Sequence, residues 1–157
     1  MKTFIILSDT HGNLTAIRRL KEIMAETDYI VHLGDYERDI QEIKAQYPNK
    51  VISVKGNCDG GGTDKEFTVE NLKIIFTHGD RHGVKEGLNR LYYFAKERNA
   101  NIVLYGHTHI ANNEEIDGIR FVNAGTLSKT AIERSYGYMV LHNGTAVVKI
   151  VKLLENF

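Results

Sequence analysis

The sequence predicts an α/β chain of two packed β-sheets, the first largely parallel and the second largely antiparallel, flanked by helices. Three observations carry this reading. Short runs rich in Ile, Val and aromatic residues, each closed by Gly, Asp or a polar turn, read as buried strands. In the first third these runs alternate with segments of helical period, the pattern of right-handed β-α-β units. In the last third, Asp117-Gly118 and Asn143-Gly144 stand between alternating runs, and such dipeptides close tight hairpins.

Phe4-Ile5-Ile6-Leu7 is the first expected strand. Leu14, Ile17, Leu20 and Ile23-Met24 then recur at helical spacing, with Asn13 as N-cap. A strand from Tyr29 to Leu33 follows, and Ile40 and Ile43 mark the apolar face of a helix expected from Asp39 to Gln46. Pro48-Asn49 turns the chain into a third strand at Val51 to Val54. The glycine-rich run from Asp59 to Asp64 is expected as a flexible loop, and Glu66 to Val69 with Leu72 to Phe76 as a hairpin about Glu70-Asn71. A helix from Val84 to Arg98 would turn Leu88, Leu91, Tyr92 and Ala95 inward. Tyr92, Tyr93 and Phe94 cannot all face inward, so one or two belong at its boundary, as ordinary packing, a homo-oligomer surface or a wall of a substrate cleft. Ile102 to Tyr105 is the next strand; the hairpin arms run over Asn113 to Ile116 and Ile119 to Val122, then Tyr136 to Leu141 and Ala146 to Leu153.

The 157 residues, 42% of them apolar, suffice for one domain over 1–157 with a real core. Lys plus Arg and Asp plus Glu both number 20, so no basic stripe advertises a nucleic-acid partner. No apolar stretch approaches the roughly 20 residues of a membrane span, and Met1-Lys2-Thr3 leads into a strand too short for a signal-peptide core, so a soluble, cytoplasmic protein is expected. Cys58 is the one cysteine, which excludes an intrachain disulfide and cysteine-based zinc frameworks.

Five of the expected strands end in potential ligands: Asp9 and His11, Asp35, Asn57, His78, and His107 and His109. In open α/β sheets ligands gather beyond the carboxyl ends of strands, so these seven side chains are expected on one rim. Asp9-x-His11 and His107-x-His109 have the spacing that places two donors on one side of an extended segment. Seven donors exceed one tetrahedral zinc and suit two divalent ions. Four imidazoles among them favour Mn, Fe, Ni, Co or Zn over Mg and Ca. His32, His82 and His142 read as structural, although His82 with Arg81 could touch substrate.

Ser-Asp-Thr-His-Gly (8–12), Gly-Asp (34–35), Gly-Asn-Cys-Asp (56–59), Thr-His-Gly (77–79) and Gly-His-Thr-His (106–109) together resemble the ordered motif series of the calcineurin-like metallophosphoesterases, closest to their small bacterial and archaeal YfcE-like branch. The resemblance runs from residue 8 to about residue 128 and implies a four-layer sandwich. It further implies that Asp9, His11, Asp35 and His109 hold one ion, that Asp35, Asn57, His78 and His107 hold the other with Asp35 bridging, and that these seven residues carry catalysis. Manganese is the leading metal, and Asn57, Cys58 and Asp59 are the residues assigned to substrate. The implied reaction is phosphodiester hydrolysis of a small substrate, with water between two ions acidified toward hydroxide. Alternatives within the same fold are a phosphomonoesterase, a nuclease, or a non-enzymatic scaffold similar to a retromer subunit. Two departures stand out: Cys58 where larger relatives carry His, expected as a small packed residue, and Asn123-Ala124-Gly125-Thr126 where the branch commonly has Asn-Pro-Gly-Ser, a loop expected to support the ligand loops.

Overall fold

The computed structural model describes residues 1–154. β1 (Lys2–Leu7) is followed by α1 (Leu14–Arg19), α2 (Lys21–Glu26), β2 (Tyr29–His32), α3 (Gln41–Gln46) and β3 (Val51–Ser53). Next come β4 (Asp64–Val69), β5 (Leu72–Thr77), α4 (Asn89–Glu97) and β6 (Ile102–Tyr105), then β7 (Asn112–Ile116), β8 (Ile119–Asn123), β9 (Ser135–His142) and β10 (Thr145–Lys152). Residues 155–157, included in the expected domain, lie outside the described residues. Among the described residues no helix is long and apolar enough to cross a membrane.

Two five-stranded sheets form, in the orders β10-β9-β1-β2-β3 and β4-β5-β6-β8-β7. The two-sheet sandwich is as expected, but parallel pairing is not concentrated in the first sheet. Each sheet has two parallel and two antiparallel pairings: β1/β2 and β2/β3 against β1/β9 and β9/β10, then β5/β6 and β6/β8 against β4/β5 and β7/β8. The cause is local. A two-residue turn can join only antiparallel strands, and the hairpins fill the positions beside each parallel centre. Glu70-Asn71, Asp117-Gly118 and Asn143-Gly144 all take the left-handed backbone such turns require.

Uninterrupted apolar strands are explained by burial on both faces. Phe4 and Ile6 of β1 meet Phe76, Leu104 and Met139 between the sheets, whereas Ile5 and Leu7 point the other way, onto Ile17, Leu20 and Met24 of the helical layer. The second sheet repeats this, with Ile75, Val103 and Phe121 turned toward Leu91 and Ala95 of α4. Helices, sheet, sheet and helix thus give four layers.

The helices are shorter than their periodicity implies. The first splits at buried Leu20 (φ −98°, ψ 5°) into α1 and α2, and Asn13 caps α1 by accepting the Ala16 amide at 3.2 Å. α4 starts at Asn89 rather than Val84 because Gly83 (φ 62°) and Gly87 (φ 131°) hold backbone conformations that no helix contains. The expected 39–46 helix opens as a 3-10 turn at Glu37–Ile40. Of the three aromatics on α4, Tyr92 bonds Asp117 at 2.6 Å, Phe94 lies between His82 and Arg98, and Tyr93 is exposed.

Because Phe76 is fully buried between the sheets, Phe76→Ala should destabilise the protein by about 3–5 kcal/mol. Urea unfolding measures this directly; a loss below about 1 kcal/mol would mean that the space between the sheets is not the principal core.

Candidate metal centre

The functional rim forms where the parallel strands end. Asp9 and His11 follow β1, Asp35 follows β2, Asn57 follows β3, His78 follows β5, and His107 and His109 follow β6. Asp9, His11 and Asp35 therefore come from the first sheet and His78, His107 and His109 from the second. The site lies across the seam between sheets, and their packing brings its halves together.

Two ligand clusters result: Asp9, His11, Asp35 and His109, and Asp35, His78 and His107, each with ligand atoms within 4.8 Å of one another. Asp35 belongs to both, the position expected of a bridge. Around Asp9 Oδ1 lie the Nε2 atoms of His109 at 3.2 Å, His11 at 3.9 Å and His78 at 3.9 Å. Around Asp35 Oδ2 lie the Nε2 atoms of His78 at 3.4 Å and His11 at 3.8 Å. Donors bound at about 2.1 Å to one ion are spaced roughly 3–3.5 Å apart, so these clusters need only small contraction to coordinate. Among the described residues, Asp9 Oδ1 and His11 Nε2 are the buried side-chain polar atoms without a hydrogen-bond partner. Such atoms are costly unless something satisfies them, and a divalent cation fits both the donor set and its charge.

The backbone is bent to make this convergence. Asp9 (φ 53°), His11 (φ 42°), Asp35 (φ 60°), His107 (φ 71°) and His109 (φ 64°) all adopt the left-handed conformation. Non-glycine residues there cost of order 1–3 kcal/mol each, and such strain concentrates at functional sites. Close approach adds a second demand. A Cβ at Gly34 would lie 2.6 Å from the Gly56 amide nitrogen, and one at Gly56 would overlap the Asp35 carboxylate and the His78 ring.

The electrostatics follow from crowding acids and imidazoles together. Burial pushes the Asp35 carboxyl up, but bonds from His78 and the Cys58 amide outweigh it and hold Asp35 well below the usual carboxylate range. Burial likewise disfavours charge on His78, yet Asp35 and Asp9 raise its basicity overall. The Asp9 carboxylate raises His109 against the effect of burial, whereas burial and the neighbouring His78 charge lower His107. His78 Nδ1 lies 2.8 Å from the Leu33 carbonyl, which can accept only from N–H, so the neutral ring turns its Nε2 lone pair toward the carboxylates.

Asp59 departs from its expected place on the substrate side. Its carboxylate accepts the amides of Asp35 at 2.8 Å, Gly56 at 2.9 Å, Tyr36 at 2.9 Å and Glu37 at 3.1 Å, so both oxygens serve the loops. Cys58 is exposed rather than packed, and it reaches the site through its backbone, whose N–H donates to Asp35 Oδ1 at 2.9 Å. Asn57 stands at the exposed rim, directly after the Gly56 that presses on Asp35 and His78. His82 bonds Asp64 at 2.9 Å, as a structural histidine would. The 123–126 loop does reach the ligand loops without a proline: Thr126 Oγ1 donates to the Asp9 carbonyl at 2.7 Å, and Asn123 Nδ2 donates to the Gly106 carbonyl at 3.1 Å. Neither the Asp59 clamp nor the buried Thr10 and Asp39 beneath the rim has a sequence signal, since each depends on loops meeting in space.

The calcineurin-like phosphoesterase superfamily model matches residues 1–146. The chain belongs to this family. Its similarity to the probable metallophosphoesterase YsnB of Bacillus subtilis is 36% identity over 151 residues, which span 92% of this chain and 88% of YsnB. Phosphodiesterase YfcE of Escherichia coli is 27% identical, over 88% of each chain. Among solved structures, a predicted phosphoesterase from Streptococcus pneumoniae superposes with TM-score 0.79 at 26% identity, over 96% of this chain and 89% of that one. Zinc-complexed Vps29 from Entamoeba histolytica shares the metallophosphoesterase fold at TM-score 0.75 and 17% identity, over 96% of this chain and 98% of its own.

The strained ligand loops generate a stability test. In the metal-free protein, His109→Gly relieves a left-handed histidine whose side chain is 41% exposed but also removes its contact with Asp9 at 3.2 Å, so stability should change by no more than about 1 kcal/mol in either direction while metal binding weakens. Thermal melts with and without chelator read both effects. A loss of stability beyond that range in the metal-free state would overturn the strain argument.

Proposed function

We propose that this chain is a single-domain, dinuclear-metal phosphodiesterase acting on a small phosphate diester, with manganese as the leading metal. The observation that carries the reading is the pair of clusters sharing Asp35, with the buried atoms Asp9 Oδ1 and His11 Nε2 left for a cation to satisfy. Family membership and the phosphodiesterase name of the YfcE relative support the same chemistry.

In this reading Asp9, His11, Asp35 and His109 hold one ion, and Asp35, Asn57, His78 and His107 the other. Bound divalent ions supply an acidified water and positive charge for the phosphoryl oxygens. The protein's part is positional. Asp35 faces both clusters with one carboxylate, and His78 keeps its Nε2 lone pair inward because Leu33 accepts the Nδ1 proton. Asn57 offers an amide oxygen to the second ion and an amide N–H to the substrate's phosphoryl oxygen. Cys58 serves the site through its backbone N–H, which donates to Asp35 Oδ1 at 2.9 Å, and in this reading its exposed thiol takes no step in the chemistry.

A scaffold role is favoured only by fold likeness to Vps29, and fold alone does not determine function. Metal counting separates the readings. Protein reconstituted with Mn²⁺ should hold two ions per chain by elemental analysis and hydrolyse bis-p-nitrophenyl phosphate faster than p-nitrophenyl phosphate. Fewer than one ion per chain would favour the scaffold, and a preference for the monoester would move the assignment to a phosphomonoesterase.

Asp35→Ala should abolish turnover, because it removes a ligand from both clusters. Cys58→Ala should lower kcat by less than about tenfold, well short of the roughly 10²–10⁴-fold that a general acid contributes. Steady-state kinetics on the same diester measures both, and comparable losses would place the thiol in the chemistry.

A further inference from the structure

Directly beneath the rim, three side chains and two backbone amides form one hydrogen-bond chain. The Gly34 amide donates to His32 Nδ1 at 3.1 Å, His32 Nε2 lies 2.9 Å from Thr10 Oγ1, and Thr10 Oγ1 donates to Asp39 Oδ2 at 2.7 Å. The same Asp39 oxygen accepts the Gly12 amide at 2.7 Å. His32 and Thr10 are fully buried, and Asp39 is 8% exposed. The proton order along these bonds is determined. Because His32 Nδ1 is an acceptor, the neutral ring carries its proton on Nε2 and gives it to Thr10, whose own proton goes to Asp39. Burial, the largest influence on His32, lowers its pKa and keeps the ring neutral.

The hydrogen-bond chain grips the backbone at selected points. Thr10 lies between Asp9 and His11, Gly12 follows His11, and Gly34 precedes Asp35. Asp9, His11 and Asp35 are three of the left-handed ligands, and a loop released from its anchor would relax toward ordinary φ and turn those side chains away. The second cluster has separate support: His78 is fixed by the Leu33 carbonyl, and Asp35 by Asp59 and the Cys58 amide. None of the three side chains in the buried hydrogen-bond chain belongs to either ligand cluster.

We propose that Thr10, His32 and Asp39 are positioning residues for the ion held by Asp9, His11, Asp35 and His109, and that they set its affinity without touching it. This rests on the metal-centre reading above. Outer groups that orient ligands commonly contribute 10–100-fold to metal affinity, and here the effect is confined to one of two ions.

The test is calorimetric titration of the intact, metal-free protein with Mn²⁺, comparing the parent with Thr10→Val, which keeps the size and loses the hydroxyl, and Thr10→Ser, which keeps the hydroxyl. The parent should take up two ions. Thr10→Val should weaken one binding step by about 10–100-fold and leave the other within about threefold, and Thr10→Ser should restore the weakened step. Asp39→Ala, at the far end of the hydrogen-bond chain, should reproduce the selective loss and serves if Thr10→Val fails to fold by its thermal melt. Unchanged affinities, equal weakening of both steps, or a Thr10→Ser protein as impaired as Thr10→Val would each overturn the proposal. A parent that binds fewer than two ions would instead overturn the metal-centre reading, and this inference with it.

Discussion

Two aspartates buried against one another at the seam of two sheets set the terms for everything around them. Asp9 is fully buried and Asp35 is 3% exposed, and both lie within 4 Å of the same His11 and His78 nitrogens. Adjacent carboxylates in a low-dielectric interior repel and cannot be retained unless cations and hydrogen bonds compensate them. The fold provides the hydrogen bonds from loops: Ser8 Oγ and the His107 amide to Asp9 Oδ2, the Cys58 amide to Asp35 Oδ1. It leaves the remaining oxygens turned toward imidazoles, as a metal-binding surface requires.

The same constraint explains where the chain is strained and where it is tight. Bringing potential donors from four strand ends into one small volume forces most of those residues out of extended and helical backbone, and glycines stand where loops touch. The cost is offset below the rim by Asp59, which collects four amides, and by the hydrogen bonds through Thr10, which tie both aspartate loops to Asp39. In metal sites generally, hydrogen bonds of this kind orient the residues that bind the ion.

Much of this is legible in the sequence because the strands announce themselves. Phe4 to Leu7 and Ile102 to Tyr105 are apolar on both faces, and their ligands come immediately after, so strand ends and ligand positions are read together. Strand order is not legible. Periodicity names no partner, and the pattern of β9 suits either sheet until its pairing with β1 is seen. The helix expected at Val84 overruns its true start because its apolar spacing persists through Gly87, where the backbone cannot be helical. Asp59 points toward substrate in the sequence for a different reason: it stands two positions after Asn57, an expected ligand, but its partners, apart from Gly56, lie more than twenty positions upstream.

The central place of β1 has a kinetic consequence. Its pairing with β9 joins Phe4 to Met139, one of the longest separations the chain allows, and contacts so distant in sequence slow the search for the native state. His109, the last residue of the two candidate clusters, precedes β9, so every residue of those clusters emerges from the ribosome before the strand that closes β1 on its second side. Until then β1 is an apolar edge open to other chains, and folding of the first sheet waits on its most distant partner.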